Sequence, residues 1–281
     1  MRLGVRAHDF GKLPVEELAA AIAAKGFTSI QLALAKAIPN IDTSLGRLSP
    51  GLANYIGETF HKHGIHIAVL GCYINPVHPD PDERRKVLAR FKEHIRMARD
   101  FGCSIVATET GSANADCSFH PDNPSPKMLQ ELIGNVAQLV EEAEKFGVFV
   151  CIEGVTHHTM STPQKIRQVL EAIDSPNLQV LFDPVNLTPA DNPQSYQTIL
   201  QESLELFGDR IFVLHAKDFA IENGSKKTVP IGRGLMDWEY VLKEILRQKP
   251  YLEILVEDNK PDTIMESAGH IQNVLTKLAI R

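Results

Sequence analysis

No run of the 281 residues comes near the about 20 consecutive apolar positions that a helix needs to cross a bilayer. The opening, Met1-Arg2-Leu3-Gly4-Val5-Arg6-Ala7-His8-Asp9, also lacks the continuous apolar segment of a secretory leader. The expectation is a cytoplasmic protein that does not engage membranes. Cysteine is scarce, and the four thiols at 72, 103, 117 and 151 are too far apart for a zinc knuckle or a dithiol motif. A chain of this size needs no disulfide staples. The thiols are therefore expected to be free, with Cys72, Cys103 and Cys151 acting as small buried hydrophobes. Basic runs are missing as well. Lys and Arg total 29 against 35 Asp and Glu, for a net charge of -6, and no cluster would neutralise a row of phosphates. Nucleic acid is not the expected partner.

What is present is an ordinary globular balance, 43% hydrophobic and 23% charged, which predicts a packed core. Short β-branched apolar runs alternate from end to end with longer stretches of helical periodicity, as they do where parallel strands are buried on both faces. The predicted strands are Leu3–Ala7, Ser29–Leu34, His66–Cys72, Ser104–Glu109, Val148–Glu153, Gln179–Asp183, Ile211–His215 and Glu253–Glu257. The helical stretches between and after them are Val15–Lys25, Gly51–Lys62, Asp82–Phe101, Lys127–Phe146, Pro163–Ile173, Gln194–Phe207, Asp237–Gln248 and Thr263–Leu278. Ser49-Pro50 and Ser161-Thr162-Pro163 read as helix starts. Lys25-Gly26, His63-Gly64, Phe101-Gly102, Phe146-Gly147 and Phe207-Gly208 read as left-handed helix ends. Eight strand-helix units of about 35 residues match a single-domain (β/α)₈ TIM barrel spanning 1–281. An open doubly wound sheet competes, but the glycine-rich dinucleotide fingerprint is missing after the first strand.

In such a barrel the chemistry lies at the C-terminal ends of the strands. The last four predicted strands each run from apolar residues into a metal-capable side chain: Glu153, Asp183, His215 and Glu257. Strand side chains alternate, so Cys151 and Glu153 share a face, as do Leu181 and Asp183, Val213 and His215, and Leu255 and Glu257. If these columns face the barrel axis, three carboxylates and an imidazole converge, and three like charges there would be strongly unfavourable without a cation. A strand-end Glu can merely cap a helix and a strand-end His can be a core hydrogen-bonder. Four such residues at one level on the last four strands favour ligation of one divalent metal ion. The mostly oxygen donor set suits Mn²⁺ or Mg²⁺, with Co²⁺ or Zn²⁺ allowed.

These residues, with Leu214-His215-Ala216-Lys217-Asp218 and Ile231-Gly232-Arg233-Gly234 followed by Asp237-Trp238, resemble the xylose-isomerase-like barrel superfamily of sugar and sugar-phosphate isomerases and epimerases. The resemblance covers the whole chain. It implies Glu153, Asp183, His215 and Glu257 as metal ligands and a carbohydrate as substrate. It also implies Glu153 and Glu257 as the acid-base pair that moves a proton through an enediolate stabilised by a Lewis acid. Several members carry a histidine three residues beyond the strand-six aspartate, where this chain has Asn186, which suits a substrate hydroxyl better than a metal. The related endonucleases need additional histidines for three zinc ions, and residues 219–233 contain none. A lesion nuclease is thereby disfavoured. A dehydratase of the inosose type and a metal-binding regulator without turnover stay open.

Candidate substrate contacts are Lys217, Asn186, Glu109, His158, Tyr73 and Arg233. Each has a plainer reading: a Lys217–Asp218 salt bridge, a helix cap for Glu109, a solvated loop for His157 and His158, and a simple turn at Arg233. Tyr73 and Asn75 are expected to line the pocket wall. Arg6 and His8 flank the end of the first strand, and Gln31 lies inside the second. A homo-oligomer is compatible with the sequence.

Overall fold

The structure, a computed structural model, describes residues 3–257 and 259–278. Its sheet strands are β1 (Leu3–Arg6), β2 (Ser29–Leu32), β3 (His66–Gly71), β4 (Ile105–Glu109), β5 (Phe149–Glu153), β6 (Leu178–Phe182), β7 (Ile211–Ala216) and β10 (Glu253–Val256). They pair in parallel in the order β1-β10-β7-β6-β5-β4-β3-β2, and β1 also pairs with β2, so the sheet closes into a barrel. The open-sheet alternative is excluded. Around it lie the helices α1 (Val15–Ala24), α3 (Pro50–Lys62), α4 (Pro81–Met97), α5 (Pro126–Phe146), α6 (Pro163–Ile173), α8 (Tyr196–Phe207), α9 (Trp238–Gln248) and α10 (Ile264–Lys277).

Local chemistry starts these helices. Ser49, Asp80, Ser125 and Thr162 each accept a backbone N–H with the side chain, and each precedes a proline at the first helical position. Each such cap contributes about 1 kcal/mol, and proline there gives up only an N–H that had no partner. Packing then holds them. Leu132, Val136, Leu139, Val140 and Ala143 form one buried stripe on α5 at helical spacing.

Four predicted helix ends have the left-handed glycine: Gly26, Gly64, Gly102 and Gly147 all have positive φ. The fifth does not. Gly208 has φ -56°, an ordinary right-handed value, and opens a short 3₁₀ turn. Strand β2 also stops two residues early, at Leu32, where Leu34–Ala37 winds into one helical turn, α2. An unpredicted antiparallel hairpin, β8 (Asp218–Glu222) and β9 (Ser225–Val229), rises after β7. Its turn is Asn223-Gly224, both at positive φ (51° and 75°), the pairing that two-residue hairpins favour.

Two apolar cores result. The larger fills the space between sheet and helices; the smaller, Ala68, Val69, Ala107, Cys151, Leu181, Val213 and Leu255, fills the barrel interior. Below that inner layer Ser29 donates to Glu253, and Phe149 meets Phe212 edge to face at 5.0 Å between ring centroids. Above it the inward positions turn polar. All four cysteines are free, and burial pushes the thiols of Cys72 and Cys103 up to about 12 and about 11. They are inert packing groups.

Candidate metal centre

Glu153 ends β5, and Asp183, His215 and Glu257 stand at or just past the ends of β6, β7 and β10. Each sits two residues beyond a member of the inner apolar layer: Cys151, Leu181, Val213 or Leu255. Period-two alternation therefore aims all four inward. One ligand-capable atom from each lies within 4.8 Å of the other three, and the residues are no more than 4% exposed.

Local structure fixes each group. Asp183 caps the one-turn helix α7 (Pro184–Leu187), with Oδ1 accepting the N–H groups of Val185 (2.8 Å) and Asn186 (2.9 Å). That leaves Oδ2 for the centre. Asn186 donates from Nδ2 to Glu153 Oε1 at 2.6 Å, and its Oδ1 accepts from Lys217 Nζ at 2.8 Å. His215 Nε2 donates to Gln31 Oε1 at 2.6 Å, while Nδ1 lies 2.7 Å from Glu257 Oε2 and 3.6 Å from Glu153 Oε1. Two buried atoms, Asp183 Oδ2 and His215 Nδ1, make no hydrogen bond of good geometry. Both instead face opposite charge at ion-pair distance, Asp183 Oδ2 toward Lys217 and His215 Nδ1 toward Glu257. Three carboxylates and one imidazole in this arrangement fit a hard or borderline divalent cation.

The electrostatics correct one step of the sequence argument. Three carboxylates here do not stand without cations, because Lys217 Nζ is 2.8 Å from Asp183 Oδ2 and 2.7 Å from Glu257 Oε1, and Arg6 lies 3.6 Å from Glu257 Oε2. Charge repulsion alone therefore does not demand a metal; the convergence of four ligand-capable residues makes the stronger case. The same neighbours set the protonation. Burial would raise Glu257, but His215, Lys217 and Arg6 outweigh it and hold its carboxyl well below the usual range. Burial pushes Asp183 up to about 6 against the pull of Lys217. His215 is lowered by burial, yet Glu257 and Glu153 reverse this and lift it to about 10.

The other predicted contacts divide. Lys217 and Asn186 are built into the cluster. Glu109 pairs in register with Glu153 on the neighbouring strand, and burial, then Glu153 and Glu257, push it up to about 7. His158 is 2% exposed, its Nδ1 is 3.6 Å from Glu109 Oε2, and burial pushes it down to about 4; His157 beside it is exposed. Tyr73 reaches the cluster through Gln31, whose Nε2 donates to its hydroxyl at 2.7 Å. Asn75 is a loop staple, donating to the Ser112 and Asn114 carbonyls and accepting the N–H of Val77 and Ser112. Arg233 is not brought to the cluster: it is exposed and its guanidinium pairs with Glu266 on α10.

The expected alternative of a Lys217–Asp218 salt bridge gives way to a different structure. Asp218 accepts the backbone N–H groups of Phe219, Gly232, Gly234 and Met236, so the glycine segment wraps around its carboxylate. A Cβ on Gly234 would collide with that carboxylate. Sequence reasoning missed the roles of Gln31, Arg6 and Lys226. Lys226, on the hairpin, donates to the carbonyls of Val185 (2.7 Å) and Thr188 (2.8 Å) and so ties β9 to the turn that carries Asp183. The Asn223-Gly224 pair was the available signal for that hairpin.

A closed parallel barrel with its polar residues gathered at the C-terminal mouth is the layout of the TIM-barrel class. The chain belongs to the xylose isomerase-like TIM barrel family, whose model matches residues 19–274. It is 24% identical over 222 residues to an uncharacterized protein of Methanocaldococcus jannaschii, covering 76% of this chain and 71% of the relative. Among solved structures, a D-tagatose 3-epimerase-like protein superposes with a TM-score of 0.78 at 19% identity over 99% of this chain and 98% of the other. A xylose isomerase-like TIM barrel protein from Mycobacterium smegmatis in complex with magnesium gives 0.76 at 16% identity, over 98% and 97%. The probable 3-DHS dehydratase AsbF from Bacillus anthracis gives 0.74 at 15%, over 97% and 99%. Among the described residues no helix is long and apolar enough to cross a membrane.

Proposed function

We propose that the chain is a divalent-metal-dependent isomerase or epimerase of a sugar, sugar phosphate or related polyol ketone, moving a proton through an enediolate with Glu153 and Glu257 as the acid-base pair. The observation that carries this reading is the convergence of Glu153, Asp183, His215 and Glu257, with one ligand-capable atom from each lying within 4.8 Å of the others. These four are the proposed ligands. When bound, the cation, Mn²⁺ or Mg²⁺ before Co²⁺ or Zn²⁺, supplies Lewis-acid polarisation of a substrate carbonyl. The likeness to an epimerase-like protein and to a magnesium complex supports the choice of chemistry.

The residues divide the remaining work. Glu153 and Glu257 come from strands separated in the barrel by β6 and β7, so the two carboxylates reach a substrate from different directions. One takes a proton beside the carbonyl and the other returns one, to the opposite face of the same carbon in an epimerisation or to the neighbouring carbon in an isomerisation. Asn186 holds Glu153 in place while Lys217 neutralises Glu257 and Asp183. Glu109, His158 and Tyr73 are the proposed partners of substrate hydroxyls, and Lys217 and Asn186 are further candidates once substrate enters. Arg233, paired with Glu266, is left out of this set.

A panel of ketoses and ketose phosphates incubated with the protein and Mn²⁺ in D₂O tests this directly. A substrate should gain deuterium with its composition otherwise unchanged, and Glu153→Gln or Glu257→Gln should slow that exchange by about 10²- to 10⁴-fold. Exchange at the normal rate in either variant removes it from the pair. A dehydratase on the same residues is the second reading, supported by the likeness to the probable dehydratase. Loss of one water from the product mass would favour it.

A further inference from the structure

Gln31 is a polar side chain in the middle of a buried strand. It is 1% exposed and lies between Ile30 and Leu32, which belong to the outer core. A buried amide is tolerated only when its donors and acceptor are used, and here both ends are. Oε1 lies 2.6 Å from His215 Nε2, and Nε2 donates to the Tyr73 hydroxyl at 2.7 Å. The three residues come from β2, from just past β3 and from β7, so the chain of hydrogen bonds spans the mouth of the barrel. Room for it is provided by Gly71, where a Cβ would come within 3.3 Å of both Gln31 Nε2 and the Tyr73 ring.

The direction of this chain has a consequence at the other side of the imidazole. An amide oxygen only accepts, so the ring nitrogen facing it must carry the hydrogen. Turning the amide over would instead have it donate to a bare Nε2 and move the imidazole proton to Nδ1, the nitrogen that must stay bare to take a cation. With Nε2 protonated, the nitrogen with a free lone pair in the neutral ring is Nδ1, the atom that faces Glu153 and Glu257.

We propose that Tyr73 and Gln31 are positioning residues that lock His215 in the tautomer presenting Nδ1 to the cation. Tyr73 orients the amide, and the amide orients and polarises the imidazole. This rests on the four-residue cluster being a metal site. Groups that orient a ligating histidine typically change metal affinity by 10- to 100-fold when removed.

The test is calorimetric titration of Mn²⁺ into the wild type, Gln31→Leu, Gln31→Glu and Tyr73→Phe, each checked for native circular dichroism. Gln31→Leu should bind about 10- to 100-fold more weakly. Gln31→Glu keeps an acceptor facing Nε2 and should recover most of that loss, and Tyr73→Phe should fall between. In the Zn²⁺-loaded wild type, long-range ¹H–¹⁵N correlation should show His215 protonated at Nε2. If the wild type binds no Mn²⁺, the metal-site reading fails and this inference with it. If the wild type binds and folded Gln31→Leu binds equally well, or His215 carries its proton on Nδ1, the metal site stands and the positioning role is overturned. Should Gln31→Leu not fold, Gln31→Glu and Tyr73→Phe decide: Gln31→Glu weaker than Tyr73→Phe overturns the proposal, and the reverse order upholds it.

Discussion

The two halves of the barrel are built for different tasks. β5, β6, β7 and β10 lead into Glu153, Asp183, His215 and Glu257, whose ligand-capable atoms converge. β1 to β4 lead into Arg6, Gln31, Tyr73 and Glu109, none of which joins that group. Arg6 lies against Glu257, Gln31 holds His215, Tyr73 holds Gln31, and Glu109 stands beside Glu153. One half offers donor atoms; the other sets their orientation and charge. The lesson is that a cluster of like charges is stabilised from across the barrel as much as from its own strands.

The largest effect that would sharpen this contrast comes from Lys217, the cation set among the donor residues. Lys217→Met leaves Asp183 and Glu257 buried without their ammonium, a loss of about 3–5 kcal/mol when one partner of a buried pair is removed. Urea unfolding of the metal-free protein should show it, and added Mn²⁺ should shrink it by taking over the charge. An undiminished loss with Mn²⁺ present would mean that the ammonium and the cation do not serve the same carboxylates.

A second test uses pH. The folded-state pKa of His215 is about 10, above its ordinary 6.5, so the folded protein holds a proton that the unfolded chain releases between those values. The stability this contributes is complete below about 6.5 and lost as pH rises through about 10. The metal-free protein should therefore melt at progressively lower temperature over that window. Saturating Mn²⁺, which needs His215 neutral, should remove the His215 part of the slope. A metal-free melting temperature flat from pH 6.5 to 10 would contradict the assigned ion pairing.

The smallest effect belongs to Arg233. Its exposed pair with Glu266 is worth at most about 1 kcal/mol. Arg233→Ala should leave KM unchanged in any activity assay; a raised KM would return it to the substrate site.

The donor half was legible in the sequence because each of its polar residues tops a column of apolar ones, and a period of two turns that into a direction. Strand and helix order followed from the same periodicity, with most boundaries within a few residues. The supporting half was harder to read. Gln31 is conspicuous only through His215, 184 positions away, and no local pattern encodes that partnership. Arg6 and Lys217 escaped the charge argument for the same reason, since pairing across a barrel is a property of closure. Asp218 looked like a partner for its neighbour Lys217, but strand alternation turns adjacent side chains apart, and the backbone N–H groups of the glycine segment claimed it instead. The hairpin carried a local signal, Asn223-Gly224, masked by a short and mostly polar second strand.

Metal stoichiometry and affinity in the wild type and Asp183→Asn test the central claim most directly. Asparagine keeps the Oδ1 acceptor that caps α7 while removing the negative charge at the centre, so the fold should survive. The account predicts one divalent ion per wild-type chain by elemental analysis and a clear loss of occupancy in the variant. Equal occupancy in both, or none in the wild type, would contradict it.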